Sequence, residues 1–356
     1  MFLQEIFSRT EASTRDFSKN RIQFIDLAKG ICILLVLIDH CSIQTGIWVN
    51  HLRMPLYFIL SGLFFKDYGS FIEFLRKKTN NILIPFLTFY GVGLVYAIII
   101  DVLCHNSLDS YSIGMPAFFH DGSLNNYALW FLLSLFWVNL IFWGISVSIK
   151  QERIRGTIVL GLSSLSYFIN AETGHSFLYI GSALLGLPFF YIGYFLRKTN
   201  ILSSDSQRTT APIWGGGVLL IISILITEAF SLNYIRFANA VMQEYRILHY
   251  TACVLGVCGL LTICKQIVWL PIISYMGRYS IIILVTHPMV AGASEVIFRR
   301  LIPSISQDAK HFAMLCTTVV ICIVLIIFLK RYCPKVTAQA DFFPKKASSK
   351  DKQISF

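Results

Sequence analysis

Charged residues are scarce. Asp, Glu, Lys and Arg make up 14% of the 356 residues, against about 25% in soluble domains. With 55% hydrophobic residues and a mean hydropathy of +0.65, the chain is not built around a water-facing surface. No stretch reads as a soluble domain. The nine cysteines form no CxxC pair and no Cys/His spacing suited to a metal. Neither a redox motif nor a zinc site is indicated, and most of the cysteines read as small buried hydrophobes. No internal repeat is evident, which weighs against an inverted-repeat transporter. No cleavable signal is expected ahead of the first span, because the opening residues carry Glu5, Arg9, Glu11, Arg15, Asp16, Lys19 and Arg21, unlike a basic head followed by an apolar run.

What the chain has is apolar runs. Ten segments are candidate spans, roughly 25–43, 54–66, 81–101, 127–149, 155–170, 177–196, 212–230, 248–264, 279–298 and 311–330. The second and fifth are short enough to be tilted or partly re-entrant, and the ninth is interrupted by His287-Pro288. The expectation is an all-α, polytopic integral membrane helix bundle of about ten transmembrane helices. Residues 1–24 form a cytoplasmic segment and 25–330 the membrane domain. Residues 331–356 form a basic, disordered cytoplasmic tail able to lie against anionic lipid. Residues 101–126 hold His105, Asp109, His120 and Asp121 but no Lys or Arg, and read as an irregular outer cap.

Orientation follows from the basic residues. Only Arg53, Arg236, Arg246, Arg299, Arg300 and Lys310, of 30 Lys and Arg, fall on outer segments when the N-terminus is inside. This positive-inside bias puts both termini in the cytoplasm. The net charge of +11 is therefore a topology signal. No nucleic-acid partner is indicated, since the basic residues are spread over separate short loops.

The run from Arg21 to His40, RIQFIDLAKGICILLVLIDH, carries the most chemistry. Lys29 and His40 are eleven residues apart, about 20° apart around a helix and about 16 Å along it. Asp26 falls about 40° to the other side of that stripe. Ionisable groups inside a span are costly and point to function. Asp39 is turned about 100° from His40 and is a poor orienter for it.

Four more segments stand out. In HLRMPLYFILSGLFF (His51–Phe65), Arg53 sits just before the second span, and Ser61-Gly62 lets a neighbouring helix approach. FIEFLRKKTNNILIP (Phe71–Pro85) reads as a basic inner loop with Arg76, Lys77 and Lys78 that re-enters the membrane at a proline. YALWFLLSLF (Tyr127–Phe136) contains Trp130, and SYMGRYSIIILVTHP (Ser274–Pro288) carries His287 about 12 Å into its span. Each residue has a plainer reading. His40 and Trp130 are packing residues, Lys29 and Arg53 interface anchors, and His287 satisfies a backbone broken by Pro288. Arg76–Lys78 is then ordinary positive-inside charge.

These five segments, in this order on ten spans, resemble the acyltransferase 3 family of integral membrane acyltransferases. The opening "IDLAKGI…H" is similar to that family's first helix, "MPLYFILSGLFF" to its second, and "LWFL" and "GRYSIIILVTHP" to further blocks, over roughly residues 20–330. Lys29 stands where acetylating members often have arginine, which alone offers a bidentate fork. Asn80 and Asn81 occupy positions where members often carry basic residues, and the fused hydrolase-like domain of some members is missing.

The resemblance implies transfer of an acyl group, usually acetyl, from cytoplasmic acyl-CoA to a hydroxyl of a cell-envelope glycan, lipid-linked glycan or small molecule. It implies His40 as general base, with Arg53 and His287 as catalytic partners. Lys29, Arg76, Lys77 and Lys78 would be the acyl-CoA contacts, and Asp26, Ser61, Gly62 and Trp130 adjacent to the site. Acetyl-CoA would be the donor substrate, with no tightly bound cofactor and no metal. The partners would be acyl-CoA, a hydroxyl acceptor and the lipid bilayer of the inner membrane; homo-oligomerisation is left open. The alternatives are a transporter or flippase for a lipid-linked or small acidic solute, and a non-catalytic subunit of an envelope polymerisation complex.

Overall fold

The structure is a computed structural model. It describes residues 22–105, 126–173, 177–197, 213–233, 235–239, 245–302 and 306–344. Asp109, His120 and Asp121 of the expected outer cap lie outside these residues, as do residues 1–21 and 345–356.

Among the described residues the fold is all-helical. In chain order the helices are α1 (Gln23–His40), α2 (Ile47–Leu63), α3 (Phe71–Lys78), α4 (Ile84–His105), α5 (Trp130–Ser148) and α6 (Glu152–Thr173). Then follow α7 (Ile180–Leu196), α8 (Ile213–Ala229), α9 (Arg246–Ile267), α10 (Pro271–Arg278), α11 (Ser280–Leu301) and α12 (Gln307–Tyr332). Five helical stretches are long and apolar enough to cross a membrane: Phe71–Ile99, Tyr127–Ser148, Arg246–Ile267, Ser280–Leu301 and Gln307–Tyr332. Ile180–Leu196 and Ile213–Ala229 are shorter apolar helices. In α12 the most apolar window has mean hydropathy 3.0 and only 22% of it is buried, so its outer face suits lipid rather than water.

Several helix boundaries depart from the sequence reading. The second helix begins at Ile47, so Arg53 lies within it and is buried rather than preceding it. Polar residues did not end this helix because the bundle satisfies them. His51 Nδ1 is 3.1 Å from Thr227 Oγ1, and His51 Nε2 is 3.1 Å from His249 Nδ1. The expected loop at Phe71–Lys78 is a helix, N-capped by the Ser70 hydroxyl. It continues into α4 through a π-helical turn at Thr79–Leu83, where the Ile84 N–H donates to the Thr79 carbonyl. Pro85 has no N–H to give, and the wider turn absorbs the register change. The sixth helix has 22 residues and is not short. α11 runs through Pro288 without a break. Of the tail expected to be disordered from 331, residues 331 and 332 end α12, and Asp341 and Phe343 bond to α3 and the π turn.

Without a hydrophobic drive between helices in lipid, close backbone approach and side-chain interlocking must hold the bundle together. α2 packs on α7 and α1 on α10. A Cβ on Gly62 would strike the Phe190 carbonyl, and one on Gly193 the Ile59 carbonyl. Beside this contact, Phe142 lies 5.2 Å from Phe65, 5.0 Å from Phe190 and 4.9 Å from Tyr194, centroid to centroid. Such aromatic pairs add about 0.5–1.5 kcal/mol each beyond area burial.

Candidate active site

Residues of α1 and α2 line two separate cavities. The basic cavity, about 710 Å³, is lined by Lys29, Tyr57, Ser61, Lys66, Arg76, Lys77, Lys78 and Ser280, among others. The histidine cavity, about 320 Å³, is lined by Asp39, His40, Asn50, Arg53, Tyr127, Trp130, Tyr179 and Arg236, among others. On α2, Met54 faces the second cavity and Tyr57 the first. These residues are three apart, about 4.5 Å along the α2 axis, while on α1 the nearest lining residues, Lys29 and Val36, are seven apart, about 10.5 Å. Tyr57 forms part of the wall: its hydroxyl donates to the Lys29 carbonyl at 3.0 Å, and its ring meets Phe131 edge-on at 5.7 Å.

Electrostatics distinguish the chambers. Lys29, Lys66, Arg76, Lys77 and Lys78 line the basic cavity, against the carboxylates Glu73 and Asp341. Low-dielectric walls focus such a field on an anion. The Lys78 ammonium lies 5.8 Å from the Phe65 ring centre and 6.0 Å from that of Tyr68. Burial and the Glu73 carboxylate push the Tyr68 phenol above its usual pKa, so it remains a neutral donor at this mouth. The expected cation cluster of Lys29, Arg76, Lys77 and Lys78 thus meets in one chamber, with Ser61 on its wall.

In the other chamber, α1 ends as His40 reaches the cavity. Its ring lies 4.8 Å from Tyr127 and 5.0 Å from His287, centroid to centroid. Tyr127 is held by its neighbour: Asn126 Nδ2 donates to the Val285 carbonyl at 2.8 Å, pinning the 3₁₀ turn to α11. His287 is fully buried. Its Nδ1 is 3.0 Å from the Ile283 carbonyl, four residues back. A carbonyl can only accept, so Nδ1 carries the proton and Nε2 is a bare lone pair in the neutral ring. Among the described residues, Nε2 has no hydrogen-bond partner. One nitrogen of His287 therefore bonds the backbone one turn back, at Ile283, and the other has no hydrogen-bond partner among the described residues.

Arg53 and Asp39 form an ion pair of 2.6 Å on the cavity wall, with side chains 5% and 30% exposed. Asp39 thus engages Arg53 on α2. Asn50 Oδ1 accepts the Ile235 N–H at 3.1 Å and fixes the segment that carries Arg236 and Phe237 over the chamber. Trp130 lines the wall, its ring 6.5 Å from that of Tyr179. Asp26 is in neither cavity: it is buried on α1 with its carboxylate 3.7 Å from the Arg278 guanidinium. Sequence reasoning missed Tyr127, Asn50, Tyr57 and Asp341. Tyr127 and Tyr57 lay inside segments already singled out, but tyrosines in apolar runs carry no distinguishing signal. No group of three or more His, Cys, Asp or Glu suited to a metal occurs among the described residues.

Residues 22–329 match the model of the acyltransferase 3 family, described as an acyltransferase domain. The chain belongs to this family. No curated protein and no solved structure matches it. Membership over nearly the whole chain, together with the apolar helices, makes this a membrane acyltransferase. Both cavities lie inside the matched region, except for Asp341.

Proposed function

We propose that the enzyme moves an acyl group, most simply acetyl, from acyl-CoA in the basic cavity to a hydroxyl acceptor in the histidine cavity. The acceptor is a cell-envelope polysaccharide, a lipid-linked glycan or a small molecule. The observation that carries this reading is the pairing itself. A chamber of five cations and a chamber lined by His40, whose ring neighbours the buried His287, share the α1–α2 pair. CoA phosphates need cations, and an acceptor hydroxyl needs a base.

In this reading the thioester threads past Tyr57, and the CoA body stays with Lys29, Arg76, Lys77 and Lys78. His40 accepts the acceptor's proton as its oxygen attacks the thioester carbonyl. The carbonyl–sulfur bond breaks and the protonated His40 returns the proton to the departing thiolate. Attack raises negative charge on the carbonyl oxygen, and the Arg53 guanidinium on the same wall is the group suited to stabilise it. His287, with its bare Nε2 beside His40, positions that ring. The basic cavity faces the cytoplasm of an inner membrane, and the histidine cavity faces outward.

Acyl-CoA turnover to free CoA, with purified protein in lipid and an envelope-glycan fraction as acceptor, tests the reading. His40→Ala should keep expression and folding while losing about 10²–10⁴-fold in rate. Wild-type turnover by a folded His40→Ala protein refutes the base. Solute counterflow in proteoliposomes lacking acyl-CoA would instead support a transporter, for which opposed cavities also serve. A gain of about 42 mass units per acceptor site identifies acetyl.

A further inference from the structure

The basic cavity is not bounded by the membrane helices alone. Asp341, from the segment that follows α12, stands on its wall. Its carboxylate is 3.1 Å from the Lys77 ammonium. Two residues on, the Phe343 carbonyl accepts from Asn80 Nδ2 at 2.9 Å and from Arg76 Nη1 at 3.1 Å. The Phe343 N–H returns a bond to Asn80 Oδ1 at 2.9 Å. Asn80 thus bonds both backbone groups of one residue, the Phe343 N–H and carbonyl, as a neighbouring strand would. It does so from a buried position in the π turn, and such turns recur at functional sites.

The segment has its own local order. Gln339 and Ala340 N–H groups bond the Pro334 carbonyl at 2.9 and 3.0 Å, and Thr337 Oγ1 donates to the Cys333 carbonyl at 3.0 Å. It is nevertheless weakly anchored. The Lys77 and Asp341 side chains are 42% and 36% exposed, so water and salt screen their attraction. Phe342 and Phe343 are about half exposed, so their rings do not pin the segment by burial. What holds it is polar, and it uses Arg76 and Lys77, two of the cations in the chamber. A phosphate approaching them has the same sign as Asp341 and needs the same donors.

We propose that residues 333–344 form an autoinhibitory strap, in which Asp341 on Lys77 and Phe343 on Asn80 and Arg76 hold the phosphate contacts of the donor chamber until a polyanionic donor displaces them. This rests on assigning the basic cavity to acyl-CoA. The strap sets a threshold for donor entry without touching the reacting atoms.

The test uses the full chain in lipid nanodiscs, with coenzyme A itself as the probe, titrated by calorimetry at low ionic strength. Asp341→Asn removes the charge. Phe343→Pro removes the N–H that Asn80 accepts, while leaving every cavity helix intact. Each should tighten CoA binding about three- to tenfold, the scale of a screened ion pair or one hydrogen bond. The double variant should gain less than the sum, since both release one strap. In the wild type, added CoA should speed hydrogen exchange across residues 338–344. If CoA binds but neither variant tightens it, or both weaken it, the strap is refuted and the donor assignment stands. If CoA binds none of the proteins, the donor assignment itself falls, and the strap with it.

Discussion

At the scale of single residues, the histidine pair carries the sharpest consequence. The Ile283 carbonyl fixes the tautomer of His287 and leaves Nε2 as an acceptor 5.0 Å, ring to ring, from His40. His287→Gln keeps a donor for Ile283 but loses the rigid imidazole. Steady-state kinetics should show kcat reduced about 10²-fold, the scale of one lost positioned contact, with the donor KM unchanged. A wild-type kcat would leave His287 only its backbone role. Arg53 makes a second case. Asp39→Ala removes a partner of a buried guanidinium. Because Asp39 is partly exposed, the cost should be about 1–2 kcal/mol rather than that of a fully buried pair, read as a lower thermal midpoint in detergent. His40, Lys29, Arg53 and His287 were legible in sequence because a charge or an imidazole is conspicuous in an apolar run. Asp341 was not, since an acid in a polar tail looks like every other solvated acid. Nor was the Asp39–Arg53 pairing, which joins two helices and has no local signature.

At the scale of elements, periodicity and composition found helices but not their ends. All ten apolar segments fall on helices, yet α2 starts seven residues earlier than its apolar run. The reason lies in partners far along the chain: Thr227 and His249 satisfy His51, and Asp39 pairs with Arg53. Polarity marks a helix end only when water is the partner. The loop expected to re-enter the membrane at Pro85 is instead helix and π turn, the chain continuing by widening one turn. Ser61-Gly62 was read as a point of close approach, and Gly62 meets the Phe190 carbonyl of α7 while Gly193 meets Ile59 of α2. Gly193→Val therefore forces α2 and α7 apart. It should cost about 1–3 kcal/mol or more, as overpacking does, and lower the yield of folded protein. Gly161→Ala, in α6 with open space around it, should hold or raise the melting midpoint, since alanine favours a helix interior by up to about 1 kcal/mol. Equal melting of Gly193→Val and the wild type would show that this helix contact is not tight.

At the scale of the whole molecule, the question is which side of the membrane each cavity faces. The basic residues argue for the interior at the Lys66–Lys78 end, and contacts add a constraint independent of charge counting. Lys77 touches Asp341 and Asn80 touches Phe343, so α3 and the segment after α12 must share a side. Arg236 lines the opposite chamber, over the His40 end of α1. Ten crossings from an inside N-terminus satisfy both conditions, since an even number returns the chain to its starting side. In a cysteine-free background, Lys66→Cys and Asp341→Cys should react with an impermeant maleimide only after the cells are opened. Arg236→Cys should react in intact cells. Labelling of Asp341→Cys and Lys66→Cys from different sides would break the packing itself. Labelling of Lys66→Cys and Arg236→Cys from one side would remove the two-sided transfer, because donor and acceptor would then enter from the same compartment.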